Sequence, residues 1–329
     1  MLNPEKRIKV VYIVSSSYSG STLLSFLLNT HPEIGTISEF DIMDNIVNDP
    51  DFLCSCGEKL RECNFFSRIK RRLNDKCVAF EIDDMNMMFR FFQSDLLNNI
   101  FFEKIPKLQS YYLEKYRDYV VNLLPSVIRK KNIMRQRNAA FFSAILEESG
   151  ACIFLDACKD PYRMKFLFES SEFDLRVIYL IKDGIAGVSS FMKHSQRDIV
   201  NATHRWFKEQ VTICRLLKEI PDKNKITVQY SDLCRNPETI LAGIYNFLNI
   251  AAIPVKSFHE VEHHVIGNRM RLSGITEIRE DTSWRKRISK SEFDKYLQIS
   301  SLYIPQLIKY HALFDDYLSK QPELESEIG

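Results

Sequence analysis

Residues 15–24 read Ser-Ser-Ser-Tyr-Ser-Gly-Ser-Thr-Leu-Leu, a run of small, hydroxyl-bearing side chains suited to holding an anion. In such a loop backbone N–H groups converge on a phosphate or sulfate, and the positive end of a following helix strengthens the grip. Gly20 permits close approach, while Ser21 and Thr22 can donate hydroxyl hydrogen bonds. Tyr18, Ser19, Gly20, Ser21, Thr22 and Leu23 are therefore candidate binding residues.

The elements that must position these groups follow from the apolar pattern. Val10–Val14 is a short apolar run, then comes the Ser/Gly turn, then a helical stretch ending near His31-Pro32. Further strand-like runs occur at 152–156, 176–181 and 225–230, each followed by a helical stretch. That alternation predicts an α/β chain with a central parallel sheet and helices on both faces, a three-layer P-loop-like fold. Residues 41–75 read as irregular, and 86–148 as long, aromatic-rich helices whose rings are expected to pack. The segment 41–150 is taken as a helical insertion forming a lid, and 1–329 as a single domain. After Ile250 the chain is loop-rich to about Arg287, and two helices close it.

The loop has the outline of a Walker A loop with one difference that matters chemically. The phosphate-reaching lysine before the hydroxyl residue is replaced by Ser21. Transfer from a nucleoside triphosphate needs that lysine and Mg²⁺ to neutralise the charge. A sulfuryl group carries less charge and can be moved without a metal. A P-loop kinase is thus the poorer reading.

Ser19-Gly20-Ser21-Thr22-Leu23-Leu24, followed by His31-Pro32 and Ser38-Glu39, resembles the 5′-phosphosulfate loop of sulfotransferases that use 3′-phosphoadenosine 5′-phosphosulfate (PAPS), in particular the carbohydrate and bacterial branch. Lys182-Asp183 and Ser190 are similar to the family's Arg-Asp…Ser grip on the 3′-phosphate. Asp156 to Arg163 resembles its Asp-Ser-Ser-Lys-x-Pro-x-Arg stretch, Tyr230-Ser-Asp-Leu its Tyr-x-Asp-Leu segment, and 265–271 with 281–288 its C-terminal loop. The resemblance implies sulfuryl transfer from PAPS to a hydroxyl or amine of a carbohydrate, lipid or small molecule, with PAPS as co-substrate and no metal. It implies Glu39 as the base facing the acceptor, with His31 as an alternative, and Lys159 as a cation for the phosphosulfate. Lys182, Ser190 and one of Arg269 or Arg271 would hold the 3′-phosphate, Tyr230 would approach the nucleotide, and Trp284 would stack on the adenine or, the preferred reading, pack in the core. The chain departs from the pattern at Tyr18 and Lys182, where the family carries Arg-type cations. Those departures open a second reading, a PAP- or PAPS-binding protein without catalysis.

Forty-five Lys and Arg against 43 Asp and Glu leave a net charge of +2, which supplies no electrostatic case for nucleic acid or a membrane surface. The apolar run at 10–14 is too short to span a bilayer, and a cytoplasmic location is expected. Eight cysteines in a chain of 329 residues read as mostly buried thiols. Cys54, Cys56 and Cys63 look like a metal knuckle, yet three ligands fall short of the four a structural zinc needs, so free thiols or a local disulfide are expected.

Overall fold

The computed structural model describes residues 7–40, 49–82, 87, 94, 96, 98, 111–255, 263, 277–315, 317 and 319. Five parallel strands, β1 (Ile8–Val14), β2 (Ile34–Thr36), β3 (Ile153–Lys159), β4 (Phe173–Ile181) and β5 (Lys225–Gln229), form one sheet in the order β2-β3-β1-β4-β5. The central strand shows why the order works. Val10, Tyr12 and Val14 of β1 enter one core, and Val11 and Ile13 enter the other. A strand buried on both faces needs apolar residues at consecutive positions, which the Val10–Val14 run supplies.

Helix α1 (Ser21–Asn29) covers one face with Leu23, Leu24, Leu27 and Leu28. The insertion between β2 and β3 contributes α2 (Asn64–Asp75), α3 (Tyr111–Val121) and α4 (Pro125–Ser149). Helix α2 falls within the span read as irregular; its apolar residues Phe65, Phe66, Ile69 and Leu73 are buried on one face of an otherwise charged helix. The second half of α4 is not suspended above the sheet. Phe141 and Phe142 are fully buried, with Phe142 stacked 4.0 Å from Phe154 of β3. The packing expectation holds for Phe141 and Phe142, whereas Tyr116 and Tyr119 of α3 are exposed, and the rings of 89–92 and 111–112 lie outside the described residues.

Helix α5 (Pro161–Phe168) begins with Asp160 as N-cap, its carboxylate accepting from the Tyr162 amide at 2.8 Å. Helices α6 (Gly184–Ser195) and α7 (Ile199–Leu217) follow β4, and α8 (Tyr230–Arg235) and α9 (Pro237–Leu248) follow β5. Pro237 opens α9, and the preceding Asn236 makes no side-chain cap bond. Short α10 (Trp284–Arg287) and long α11 (Lys290–Leu307), the latter with a full capping box between Ser289 and Glu292, are followed by a 3-10 turn at Ala312–Phe314. Trp284 is buried in the core. Among the described residues no helix is long and apolar enough to cross a membrane.

Candidate active site

The parallel sheet has a consequence for placement. Every strand points the same way, so all five carboxyl ends open on one edge, where ligands of such sheets bind. Residues 15–20 follow β1, Ser38 and Glu39 follow β2, Lys159 ends β3, Lys182 follows β4, and Tyr230 follows β5. One candidate group stands at the end of each strand.

The loop after β1 turns sharply enough that Tyr18 adopts φ 63° and Gly20 φ 88°. Gly20 precedes the first helical residue, and the amide of Leu24 donates to its carbonyl at 3.1 Å. A Cβ at position 20 would run into the ring of Tyr230, so this glycine answers both a left-handed backbone and a close neighbour. Ser16 and Ser19 share a hydroxyl hydrogen bond at 2.7 Å inside the loop. Ser21 and Thr22 are buried at the helix start. Tyr18 reaches sideways to α6, its ring 4.7 Å from His194 and nearly parallel to it, and 5.9 Å from Phe191.

The second grip lies on that same helix. Lys182 Nζ donates to Ser190 Oγ at 3.1 Å and stands 4.9 Å above the Tyr230 ring. The contacts Gly20–Tyr230, Tyr230–Lys182 and Tyr18–α6 join the two candidate turns, although about 160 positions separate them in the chain. Burial lowers the Lys182 pKa below that of an ordinary lysine, with Asp281 pulling the other way. Burial likewise lowers His194, assisted by Lys193 and Arg287. Burial also works against the Asp281 carboxylate, but hydrogen bonds from Ser283 and the charges of Lys182 and Arg287 outweigh it and hold its pKa low.

Asp281, Arg287 and His194 are members of this cluster that sequence reasoning missed. Arg287 donates to Ser283 Oγ at 2.8 Å, yet its Nη1 is buried without a hydrogen-bond partner among the described residues. The basic run of α10 after Trp284 was the available signal. Arg269 and Arg271, the cations expected here, lie outside the described residues.

At the other side of β1, Glu39 is almost fully buried, and its carboxylate meets Lys159 Nζ at 2.8 Å. The β1–β3 register slips between Tyr12 and Val14, so that Val14 faces Lys159, and Lys159 itself takes φ 68°. This irregularity turns the lysine toward Glu39. Ser38 is also left-handed, φ 68°, and its buried hydroxyl has no partner among the described residues. The buried hydroxyl of Ser15, beginning the first loop, is in the same state. Buried donors of this kind ordinarily find an acceptor. Three of them along one edge (Ser15, Ser38 and Arg287) fit an anionic ligand rich in acceptors.

His31 is not part of this edge. Helix α1 carries the chain about 14 Å away from the loop, and the His31 ring is fully used. Its Nδ1 accepts from the Glu33 amide at 3.1 Å, so Nε2 is the donor to the Ala251 carbonyl at 2.9 Å. The alternative base is thereby corrected to a structural histidine. Asp156 is also taken: fully buried, it pairs with the equally buried Arg163 at 2.8 Å. It does not stand free as the acidic metal ligand that a kinase reading would need.

The chain is similar in structure to a sulfotransferase domain from the Synechococcus PCC 7002 olefin synthase, at 15% identity and TM-score 0.45, over 91% of this chain and 96% of that one. It is also similar to a sulfotransferase domain from the curacin biosynthetic pathway, at 13% identity and TM-score 0.43, over 93% and 99% of the two chains. Comparison with curated proteins finds no match. The sequence profile of the sulfotransferase family matches residues 11–254, a span that includes both candidate turns, Glu39, Lys159 and Tyr230. By that match over most of its length, the chain belongs to the sulfotransferase family.

Proposed function

We propose that this protein transfers the sulfuryl group of PAPS to a hydroxyl or amine of a carbohydrate, lipid or small-molecule acceptor. The observation that carries this reading is the joining of the two turns at one sheet edge, through Gly20, Tyr230, Lys182 and Ser190. One nucleotide with phosphate groups at its two ends would use both. The N–H groups of 18–22 and the Thr22 hydroxyl would hold the 5′ end, and Lys182, Ser190 and Arg287 the 3′-phosphate. Arg269 and Arg271 remain candidates for the same phosphate. The segment 41–150 would then stand on the acceptor side.

In the transfer a bond forms between the acceptor oxygen or nitrogen and sulfur, and the bond from sulfur to the 5′-phosphate oxygen breaks. The acceptor proton passes to Glu39, and the leaving electron pair stays on the phosphate oxygen of 3′-phosphoadenosine 5′-phosphate (PAP). Lys159, which contacts Glu39 directly, would stabilise that leaving charge.

Calorimetry with PAP and a radiolabelled PAPS transfer assay across sugar, lipid and small-molecule acceptors test the proposal together. Glu39→Gln is expected to lower turnover by about a hundredfold or more while leaving PAP affinity within about threefold. Absence of PAP binding would sink the reading, and unchanged turnover would remove Glu39 from its role. PAP binding without transfer to any acceptor class would favour a non-catalytic binder. Tyr18 is the observation behind that second reading, since it puts a neutral ring against His194 where the family pattern has a cation.

A further inference from the structure

The cysteine knuckle lies outside the sheet edge. Leu53 pairs antiparallel with Lys59, the Cys54 amide donates to the Glu58 carbonyl at 2.9 Å, and the Gly57 amide returns to the Cys54 carbonyl at 3.0 Å. Gly57, at φ 91°, allows the tight turn. The turn gathers Cys54 and Cys56 against Cys63, which immediately precedes α2 as its N-cap. The sulfurs of Cys56 and Cys63 are 3.8 Å apart, far longer than the roughly 2.05 Å of a disulfide, and none of the eight cysteines, all among the described residues, is in a disulfide.

Sequence spacing stops at three ligands, but the fold supplies a fourth. His263, 200 positions after Cys63, places Nδ1 3.4 Å from the Cys63 sulfur and 3.8 Å from that of Cys54. All four donor atoms lie within 4.8 Å of one another. A tetrahedral zinc with Zn–S of about 2.3 Å and Zn–N of about 2.05 Å has S···S edges of about 3.8 Å and S···N edges of about 3.5 Å. The Cys56–Cys63 separation of 3.8 Å and the His263 Nδ1 separations of 3.4 and 3.8 Å lie within about 0.3 Å of those edges. The His263 ring is held in place by parallel stacking on Phe65, with centroids 4.3 Å apart and planes 2° from parallel. Its backbone is left-handed at φ 73°, a conformation uncommon among residues other than glycine.

We propose that Cys54, Cys56, Cys63 and His263 form a structural zinc site. Four protein ligands close the coordination sphere and leave no position for a reacting water, so the metal staples rather than catalyses. On binding, the cysteine thiols release their protons to solvent, and three thiolates with a neutral imidazole leave the zinc centre with one net negative charge. The N-terminal amides of α2 lie beside that charge and offset it. The soft sulfur set selects zinc over hard cations such as magnesium. The staple ties the insertion to a segment 200 positions later, a closure no local contact could supply.

Elemental analysis of the full chain, purified natively, tests this without reference to sulfuryl transfer. About one zinc per chain is expected, with Cys54, Cys56 and Cys63 resisting alkylation until a chelator is added. Chelation should also lower the melting temperature. His263→Ala and Cys56→Ala should fall well below stoichiometric zinc, His263→Cys should retain it, and Cys77→Ala, on an exposed cysteine, should match the wild type. Wild-type protein without zinc and with freely reactive Cys54, Cys56 and Cys63 would overturn the proposal, whatever the variants do. Full zinc in His263→Ala would overturn the ligand set.

Discussion

Two residues at the sheet edge show how individual side chains are constrained by what they touch. Glu39 and Lys159 form a close ion pair, and each sits next to or upon left-handed backbone, at Ser38 and at Lys159 itself. Strained backbone persists only where the surroundings over-determine it, and here the return is a carboxylate and a cation delivered to the same point. Gly20 is constrained differently, because its backbone is left-handed and its open side is filled by Tyr230. Gly20→Ala would meet a left-handed penalty of about 1–2 kcal/mol and the Tyr230 ring together. The expected result is a lower melting temperature and a loss of PAP affinity of about tenfold or more. An alanine variant that binds PAP like the wild type would show that the loop tolerates reshaping and does not depend on this close approach.

At the scale of elements, the eight-residue spacing from Lys182 to Ser190 works because a strand end and the second turn of the next helix return to the same place. That is a local relation, and it was legible in the sequence together with the β1–loop–α1 unit. Other parts were not. Strand β2 has three residues, too few to show a period, and α2 was hidden because its charged face dominates a stretch that begins with the cysteine knuckle. Arg287 and Asp281 reach Lys182 only through packing of the C-terminal helices, which no spacing rule anticipates; His263 reaches the cysteines in the same non-local way. The buried lysine has a pH consequence. Its folded pKa lies below the ordinary value because burial penalises the charge. In the ligand-free protein that penalty is present at neutral pH and eases as pH rises toward the unfolded value. Ligand binding has the opposite sign. As pH rises through the lowered pKa the clamp turns neutral, so PAP affinity should decline at lower pH than an exposed lysine would cause. Calorimetry from about pH 7 to about pH 10 checks this. Lys182→Arg, which stays charged, should remove the decline, and an identical profile in both proteins would place the titration elsewhere.

Across the whole molecule, part of the insertion supports the sheet. Arg163 on α5 pairs with Asp156 on β3, donates to Asn138 Oδ1 on α4 at 2.9 Å and to the Met87 carbonyl at 2.8 Å, and lies 4.7 Å from the Phe40 ring. Phe40 follows Glu39 directly, so one buried guanidinium joins the insertion, the sheet and the segment carrying the proposed base. Such a network makes each member depend on the others, since removing one partner leaves the rest desolvated and unpaired. Arg163→Met would strand the Asp156 carboxylate in the core, and a loss of about 3–5 kcal/mol in unfolding free energy is expected by chemical denaturation. Asp156→Leu combined with Arg163→Met removes both charges and should recover much of that loss, because a well-packed apolar pair avoids the desolvation cost. If the single variant instead unfolds at the wild-type denaturant midpoint, the buried pair is not what holds the insertion to the sheet. The aromatic contacts of Phe40, Phe142 and Phe154 must then carry that attachment alone.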